Sequence, residues 1–256
     1  MSSLRAQLLV DLGNTRLKCA ILDARGDRGD VIAHGHAGDA DADADSAGLQ
    51  PMLERFSPGD HCWLASVASS AITASVLEAL SAAGLVVHRV QASAREGRLR
   101  IAYGDPSRLG VDRFLAMLAA SARDDGPWVL VSAGSALTVD LLDADGLHLG
   151  GVIAPMPEQM RIMLAQRFNQ LDVPEGRVFP LADNTADAIA SGTQGAAVGL
   201  VERVLRHAQS RLGKMPTLLL GGGNAGLLAG VEHPLVVDAP TLVLDGLAMH
   251  ARSGGG

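Results

Sequence analysis

The sequence predicts a mixed α/β fold built from one architecture used twice, and three observations predict it. The stretches LLVDLGNTRLKCAIL at 8–22 and VLVSAGSALTVDLL at 129–142 share a pattern of apolar strand, glycine turn with a nearby hydroxyl, and second apolar strand. After each hairpin the chain continues with helical periodicity and further short apolar strands, the order expected of an α/β architecture rather than of a sandwich or a bundle. With 256 residues and 48% hydrophobic content the chain can fill two modest cores. The repeat has one conspicuous mismatch: Asp11 in the first copy is answered by Ser132 in the second.

The first half opens with apolar strands at about 6–12, 17–22 and 30–35 and then breaks at GDADADADS, 38–46, a solvated acidic loop by composition. Its alternating aspartates suggest a calcium loop, but no register supplies the central glycine and terminal glutamate of an EF-hand. A strand near 62–67, a helix near 70–83 and a strand at 85–90 follow. SRLGVDRFLAMLAASAR, 107–123, places Leu109, Phe114, Leu115 and Leu118 at helical spacing between Pro106 and Gly126-Pro127, and reads as a helix joining the halves. The second half reads as strands at 128–133, 137–142 and 147–153 with tight turns at 133–136 and 143–146, then helices at about 157–169 and 185–210. A strand at 217–221, a short helix, a strand at 235–237 and a closing helix at 241–251 finish the fold, followed by an SGGG tail expected to be disordered. The domain boundary implied is 1–114 and 115–252.

Composition excludes several function classes. Aromatic residues make up only 3% and the net charge is -7, which argues against stacking platforms and phosphate-backbone grooves for nucleic acid. The one basic cluster, Arg95, Arg98 and Arg100, reads as a solvated surface. Cys19 and Cys62 read as reduced core residues, which suggests the cytoplasm. Asp11 interrupts the N-terminal apolar run that begins after Arg5, and no stretch reaches the length of a membrane span, so a soluble, unexported protein with no membrane partner is expected.

Chemistry concentrates in a few short segments. Gly13-Asn14 suits a tight hairpin turn whose outward N–H groups could nest a phosphate, with Thr15 adding a hydroxyl and Lys18 a positive charge. Asp11, at the strand end, is placed to hold a hydrated Mg²⁺ rather than phosphate itself; an ordinary hairpin is the other reading of this stretch. Gly134-Ser135-Ala136 with Thr138 offers a second such turn, and two turns facing across a cleft could grip a polyphosphate. Gly213-Lys214 lacks the rest of a Walker A motif, while GGGNAG at 221–226 matches a dinucleotide fingerprint too close to the end to be one. Its glycines, Gly222 among them, could let the backbone approach an adenine or ribose, or could simply cap a helix. No nucleophile elbow, HExxH or metal-spaced histidine set is present. In YGDPSRLGVDR, 103–113, Gly110 can admit a substrate close to the backbone, Arg113 can clamp a carboxylate and Asp112 can accept a proton from a hydroxyl; an exposed ion pair is the alternative.

These segments, taken in order, resemble the type III pantothenate kinases of the acetate and sugar kinase, heat-shock cognate and actin superfamily. The resemblance rests on DLGNTRLK at 11–18, Tyr103 and Pro106 before GVDR at 110–113, AGSALT at 133–138, GGVIAP at 150–155, NTADAIASG at 184–192 and GGG at 221–223. It implies two duplicated ribonuclease-H-like (actin-like ATPase) domains with a nucleotide cleft between them, a homodimer, and ATP-dependent phosphorylation of pantothenate, the first step of coenzyme A synthesis. By the resemblance, Asp11, Gly13, Asn14, Thr15, Lys18, Gly134 and Ser135 would bind ATP with Mg²⁺, and Tyr103, Gly110, Val111, Asp112, Arg113 and Thr185 would bind pantothenate. Asp112 would be the catalytic base.

Two departures from the family pattern stand out. The family usually has an aspartate at the position of Ser132, where the carboxylate ligates potassium or ammonium, so a weaker monovalent-cation dependence is expected. It commonly has glycine at the position of Met156, which is expected to alter the wall of the pantothenate site. These departures leave open a catalytically weak nucleotide-binding homologue acting as a regulatory accessory protein, and a kinase for another small hydroxy-acid.

Overall fold

The computed structural model describes residues 6–35, 42–124, 126–168 and 175–254. Contacts divide the chain into two units, one of 1–123 with 241–256 and one of 124–240.

In the first unit β1 (Gln7–Leu12) pairs antiparallel with β2 (Arg16–Leu22), which pairs antiparallel with β3 (Ile32–Gly35). On its other edge β1 pairs parallel with β4 (His61–Ser66), and β4 with β5 (Val86–Arg89), giving the order β3-β2-β1-β4-β5. Alternation along β1 sends Leu8, Val10 and Leu12 into a core with α1 (Ala42–Leu53) and α2 (Ser70–Ala82). The intervening residues Leu9 and Asp11 face the other side, where α3 (Val111–Ser121) and α6 (Leu242–Arg252) lie against the sheet. Buried Cys19 and Cys62 are free thiols, and desolvation, with the Asp11 carboxylate adding to it, pushes the Cys19 thiol up to about 12.

The second unit repeats this plan. Strands β8 (Trp128–Ala133), β9 (Ala136–Leu142), β10 (His148–Pro155), β11 (Thr217–Gly221) and β12 (Val236–Asp238) form a sheet in the order β10-β9-β8-β11-β12. The pairing senses are also the same, antiparallel on the hairpin side and parallel on the other. Val129, Val131 and Ala133 alternate into a core closed by Ala197, Val201, Leu205 and Ala208 at helical spacing on α5 (Thr185–Leu212), beside which lies α4 (Pro157–Arg167).

Two expectations, the start of the 107–123 helix and the acidic loop, need correction. The helix expected over 107–123 starts only at Val111: Pro106–Arg108 form a 3-10 turn, and Leu109 and Gly110 are extended, which separates the two. The acidic segment expected as a loop is helical from Ala42 onward, and its earlier residues lie outside those described. That helix is anchored by Leu49, Met52 and Leu53, which recur at helical spacing and are buried. Between β5 and the 3-10 turn a small hairpin, β6 (Arg95–Glu96) with β7 (Leu99–Arg100), carries the basic cluster, and Arg95, Arg98 and Arg100 are all exposed on it. The expected boundary at 114/115 falls inside α3, and the closing helix α6 groups with the first unit. Gly246 accounts for that grouping: any side chain there would collide with the Leu115 backbone of α3, so the two helices pack at close range. Of the tail, Ser253 and Gly254 continue from α6, and the last two residues lie outside the described set.

Candidate active site

Strand parity builds the first part of the site. Asp11 and Lys18 are direct cross-strand partners in the β1–β2 register, and Asp11 faces the side of the sheet on which α3 begins. The Asp11 carboxyl is 8% exposed and its pKa rises to about 7. Desolvation is the main cause; Lys18 opposes it, and the nearby Asp112 carboxylate adds to it. Two carboxylates and one lysine are thus electrostatically coupled, a donor set suited to a hydrated divalent cation, whose charge would offset both desolvation and mutual repulsion.

The turn between β1 and β2 has three residues, Gly13, Asn14 and Thr15, and the Gly13 N–H closes it on Arg16 O at 2.9 Å. Gly13 thus pairs with Arg16 in the Leu12–Leu17 register, and neither Gly13 nor Asn14 adopts a positive φ, so the turn is not of the primed type that the pair suggested. Asn14 and Thr15 are exposed at its tip. The Gly13 amide is therefore committed to the turn, and the tip offers side chains to a ligand instead.

Asp112 occupies the first turn of α3, where its Oδ1 accepts the Arg113 N–H at 2.8 Å. A side chain at Gly110 would press on the same Oδ1 from 2.7 Å, so a glycine here keeps the carboxylate where it is. Val111 is buried behind it. Arg113 is 7% exposed, donates to the Tyr103 hydroxyl at 3.2 Å and stands 5.9 Å from the centre of the tyrosine ring. The structure thus joins Asp11, Lys18 and Asp112 in one cluster, and Arg113 and Tyr103 in a pair beside it in sequence.

In the second unit the register makes Ser132 the counterpart of Asp11: each is the penultimate residue of its strand, and Ser132 pairs with Thr138 as Asp11 pairs with Lys18. Ser132 is exposed, whereas Asp11 is buried. The β8–β9 turn consists of Gly134 and Ser135, with the Gly134 N–H closing on Ala136 O at 3.1 Å. The glycine segment after β11 packs onto this turn. Asn224 N donates to Ala133 O at 2.9 Å and Asn224 Nδ2 to Gly134 O at 3.2 Å. Gly222, at φ 95°, lies so close to the Ala133 backbone that no side chain fits. Only a 3-10 turn, Ala225–Leu228, follows, so no α-helix N-terminus completes a dinucleotide fingerprint.

Thr185 is the exposed first residue of α5, at the edge of a cavity of about 910 Å³ between α4 and α5. The cavity is lined largely by apolar side chains, among them Met160, Met163, Leu164, Phe168 and Ile189, with Arg167, Asp183 and Asn184 supplying polarity. Met156 does not line it. Its side chain is 1% exposed in the core of the unit, so its effect on the cavity passes through the start of α4, where the Met156 N–H donates to Gln159 Oε1 at 2.7 Å. The sequence reading missed Arg167 and Phe168, which no motif marks, and Asp187, which the capping pattern Asn184-x-x-Asp187 signals.

Two mixed sheets of identical order, each opening on a hairpin, define the duplicated ribonuclease-H-like fold of the actin-like ATPases and sugar kinases. The fold is similar to that of MreB5 of Spiroplasma citri bound to ADP, with a TM-score of 0.52 at 10% identity over 99% of this chain and 98% of that one. A Campylobacter jejuni protein described as a Baf family transcriptional activator superposes with a TM-score of 0.56 at 18% identity, covering 96% of this chain and 98% of its own. Likeness at these identities concerns the fold alone. The chain belongs to the type III pantothenate kinase family, which it matches over residues 7–207. It is 45% identical over 247 residues to the type III pantothenate kinase of Stenotrophomonas maltophilia strain K279a, covering 95% of this chain and 96% of that enzyme.

Proposed function

We propose that this chain catalyses ATP-dependent phosphorylation of pantothenate to 4'-phosphopantothenate, the first step of coenzyme A biosynthesis. Membership of the type III pantothenate kinase family along nearly the whole chain carries this reading. In the first unit, Asp11, Gly13, Asn14, Thr15 and Lys18 are assigned to ATP phosphates, with Asp11 holding Mg²⁺ through water. In the second unit, Gly134 and Ser135 take phosphates and Gly222 the adenosine side. Tyr103, Gly110, Val111, Arg113 and Thr185 are assigned to pantothenate. Asp112 takes the proton of the primary hydroxyl as its oxygen attacks the γ-phosphorus in line and ADP leaves. The cation supplies charge neutralisation at the phosphates; the residues of this chain position both reactants and receive the proton.

The test is ADP release from purified protein with ATP, Mg²⁺ and pantothenate, with and without potassium in sodium-free buffer. Pantothenate-dependent turnover is expected, and turnover that ignores pantothenate refutes the reading. An exposed serine attracts an alkali cation far less than a carboxylate does, so little potassium dependence is expected of the parent chain. Ser132→Asp should then introduce or strengthen it. A parent enzyme already strongly dependent on potassium would show that other oxygens complete the site.

A homodimer is part of this reading. Ile162, Met163, Phe168, Val178 and Leu181 are large apolar side chains exposed on the second unit, Leu181 at 95%. A second copy of the chain is the proposed cover. Sedimentation velocity should give twice the mass of one chain, and Phe168→Asp with Leu181→Asp should give a single chain. Cytoplasmic action is proposed from the two free, buried cysteines, Cys19 and Cys62, which suit a reducing compartment; among the described residues no helix is long and apolar enough to cross a membrane.

A further inference from the structure

The segment before α5 has no regular structure of its own from Gly176 to Asn184, yet it ends at the polar edge of the cavity. Its conformation therefore depends on side-chain ties to the helix. Asp187 makes the central ones. Its Oδ1 accepts the Arg177 N–H at 2.7 Å and its Oδ2 accepts Asn184 Nδ2 at 2.8 Å, while Asn184 Oδ1 accepts the Asp187 N–H at 3.0 Å. A further tie runs from the Phe179 N–H to Ser191 Oγ at 2.9 Å, about a turn along the helix, and the Arg177 guanidinium lies 5.2 Å from the Phe179 ring centre. Asp187 is buried and is absent from the cavity lining, so it cannot touch a ligand there. The Asn184 side chain and then the Arg177 N–H hold its carboxyl below the usual aspartate range, which keeps these charge-assisted bonds intact at neutral pH.

We infer that Asp187 is a positioning residue for pantothenate: by tying Arg177 and Asn184 to the first turn of α5, it holds the Asp183–Thr185 edge of the cavity in its substrate-binding shape. The inference rests on the assignment of Thr185 to pantothenate. Removing the carboxylate frees two donors and lets that edge move, which weakens ground-state binding of pantothenate and leaves the nucleotide turns untouched.

Steady-state kinetics on the full chain test it. Asp187→Ala should raise KM for pantothenate by about tenfold and leave KM for ATP within about twofold, as expected for losing charge-assisted hydrogen bonds that bear on one substrate. Asp187→Asn should fall between, because its oxygen can still accept from Arg177 while its amide opposes the Asn184 amide. A fall in kcat with both KM values unchanged is the signature of a smaller folded fraction and overturns the inference. If the alanine variant does not accumulate as folded protein, the asparagine variant decides, and a pantothenate KM within about twofold of the parent overturns the inference. Thr185→Val separates premise from inference. An unchanged pantothenate KM there removes the Thr185 assignment and the inference with it; a raised KM there beside an unchanged one in Asp187→Ala removes the positioning role alone.

Discussion

Asp112→Asn is expected to lower turnover by about 10²- to 10⁴-fold while ATP binding, read by calorimetry, stays close to that of the parent. The substitution is nearly isosteric, and the new amide oxygen can still accept the Arg113 N–H that now reaches Asp112 Oδ1 at 2.8 Å, so the start of α3 should keep its shape. On the proposed assignment of Asp112 as base, what is lost is the capacity to take a proton from the attacking hydroxyl. Because phosphoryl transfer depends chiefly on positioning and charge neutralisation, the residual rate reports how much those two supply without the base. A variant with near-normal turnover would remove Asp112 from the base role and leave it as a binding residue. The same variant carries a second readout. The Asp112 charge is one of the contributions that raise the Asp11 pKa, so neutralising it should move the Asp11 titration to lower pH.

How much of this was legible in the sequence follows from which forces act locally. The duplicated hairpins were legible because alternation and glycine turns are short-range signals, and the structure places both in sheets of the same order. Helix α1 was not, since alternating aspartate and alanine mask a helix whose support comes from Leu49, Met52 and Leu53 meeting the sheet core. The grouping of α6 with the first unit was equally hidden: it depends on Gly246 against the backbone of Leu115, a contact between residues far apart in the chain. Motif reading proposed Asp11 and Asp112 as site residues, but their electrostatic coupling arises only when β1 parity and the start of α3 put them on one face of the sheet. Met156 shows the converse. A departure from a family motif suggested a changed pocket wall, and the side chain in fact fills the core.

The Asp11–Ser132 mismatch acquires a physical meaning from the same register. Equivalent positions in two copies of one sheet carry a buried carboxylate in the first and an exposed hydroxyl in the second. The duplicated fold does not require charge at this strand position, since the second sheet forms without it. The carboxylate of Asp11 is therefore retained against its own desolvation cost, the pattern expected of a functional group rather than a structural one.

Asp11→Asn should give a protein that is more stable above neutral pH and inactive as a kinase. The Asp11 pKa is raised from 3.8 to about 7, so the folded state binds this proton more tightly than the unfolded chain does. The favourable contribution is fully present below about pH 4, fades as pH rises from there towards 7, and is gone above the folded pKa, where the buried charge must be carried. A shift of this size corresponds to on the order of 4 kcal/mol between those limits. In chelator-treated protein, thermal unfolding should therefore show the parent losing stability across that window relative to Asp11→Asn, with the variant ahead at pH 8. Parallel stability profiles for the two proteins would mean that Asp11 ionises in the fold as easily as in water. On the proposed assignment of Asp11 to hydrated Mg²⁺, the loss of turnover has a separate cause, the missing carboxylate, and raising the Mg²⁺ concentration should restore only part of it. Gained stability together with lost activity distinguishes a desolvated functional carboxylate from one whose removal simply damages the fold.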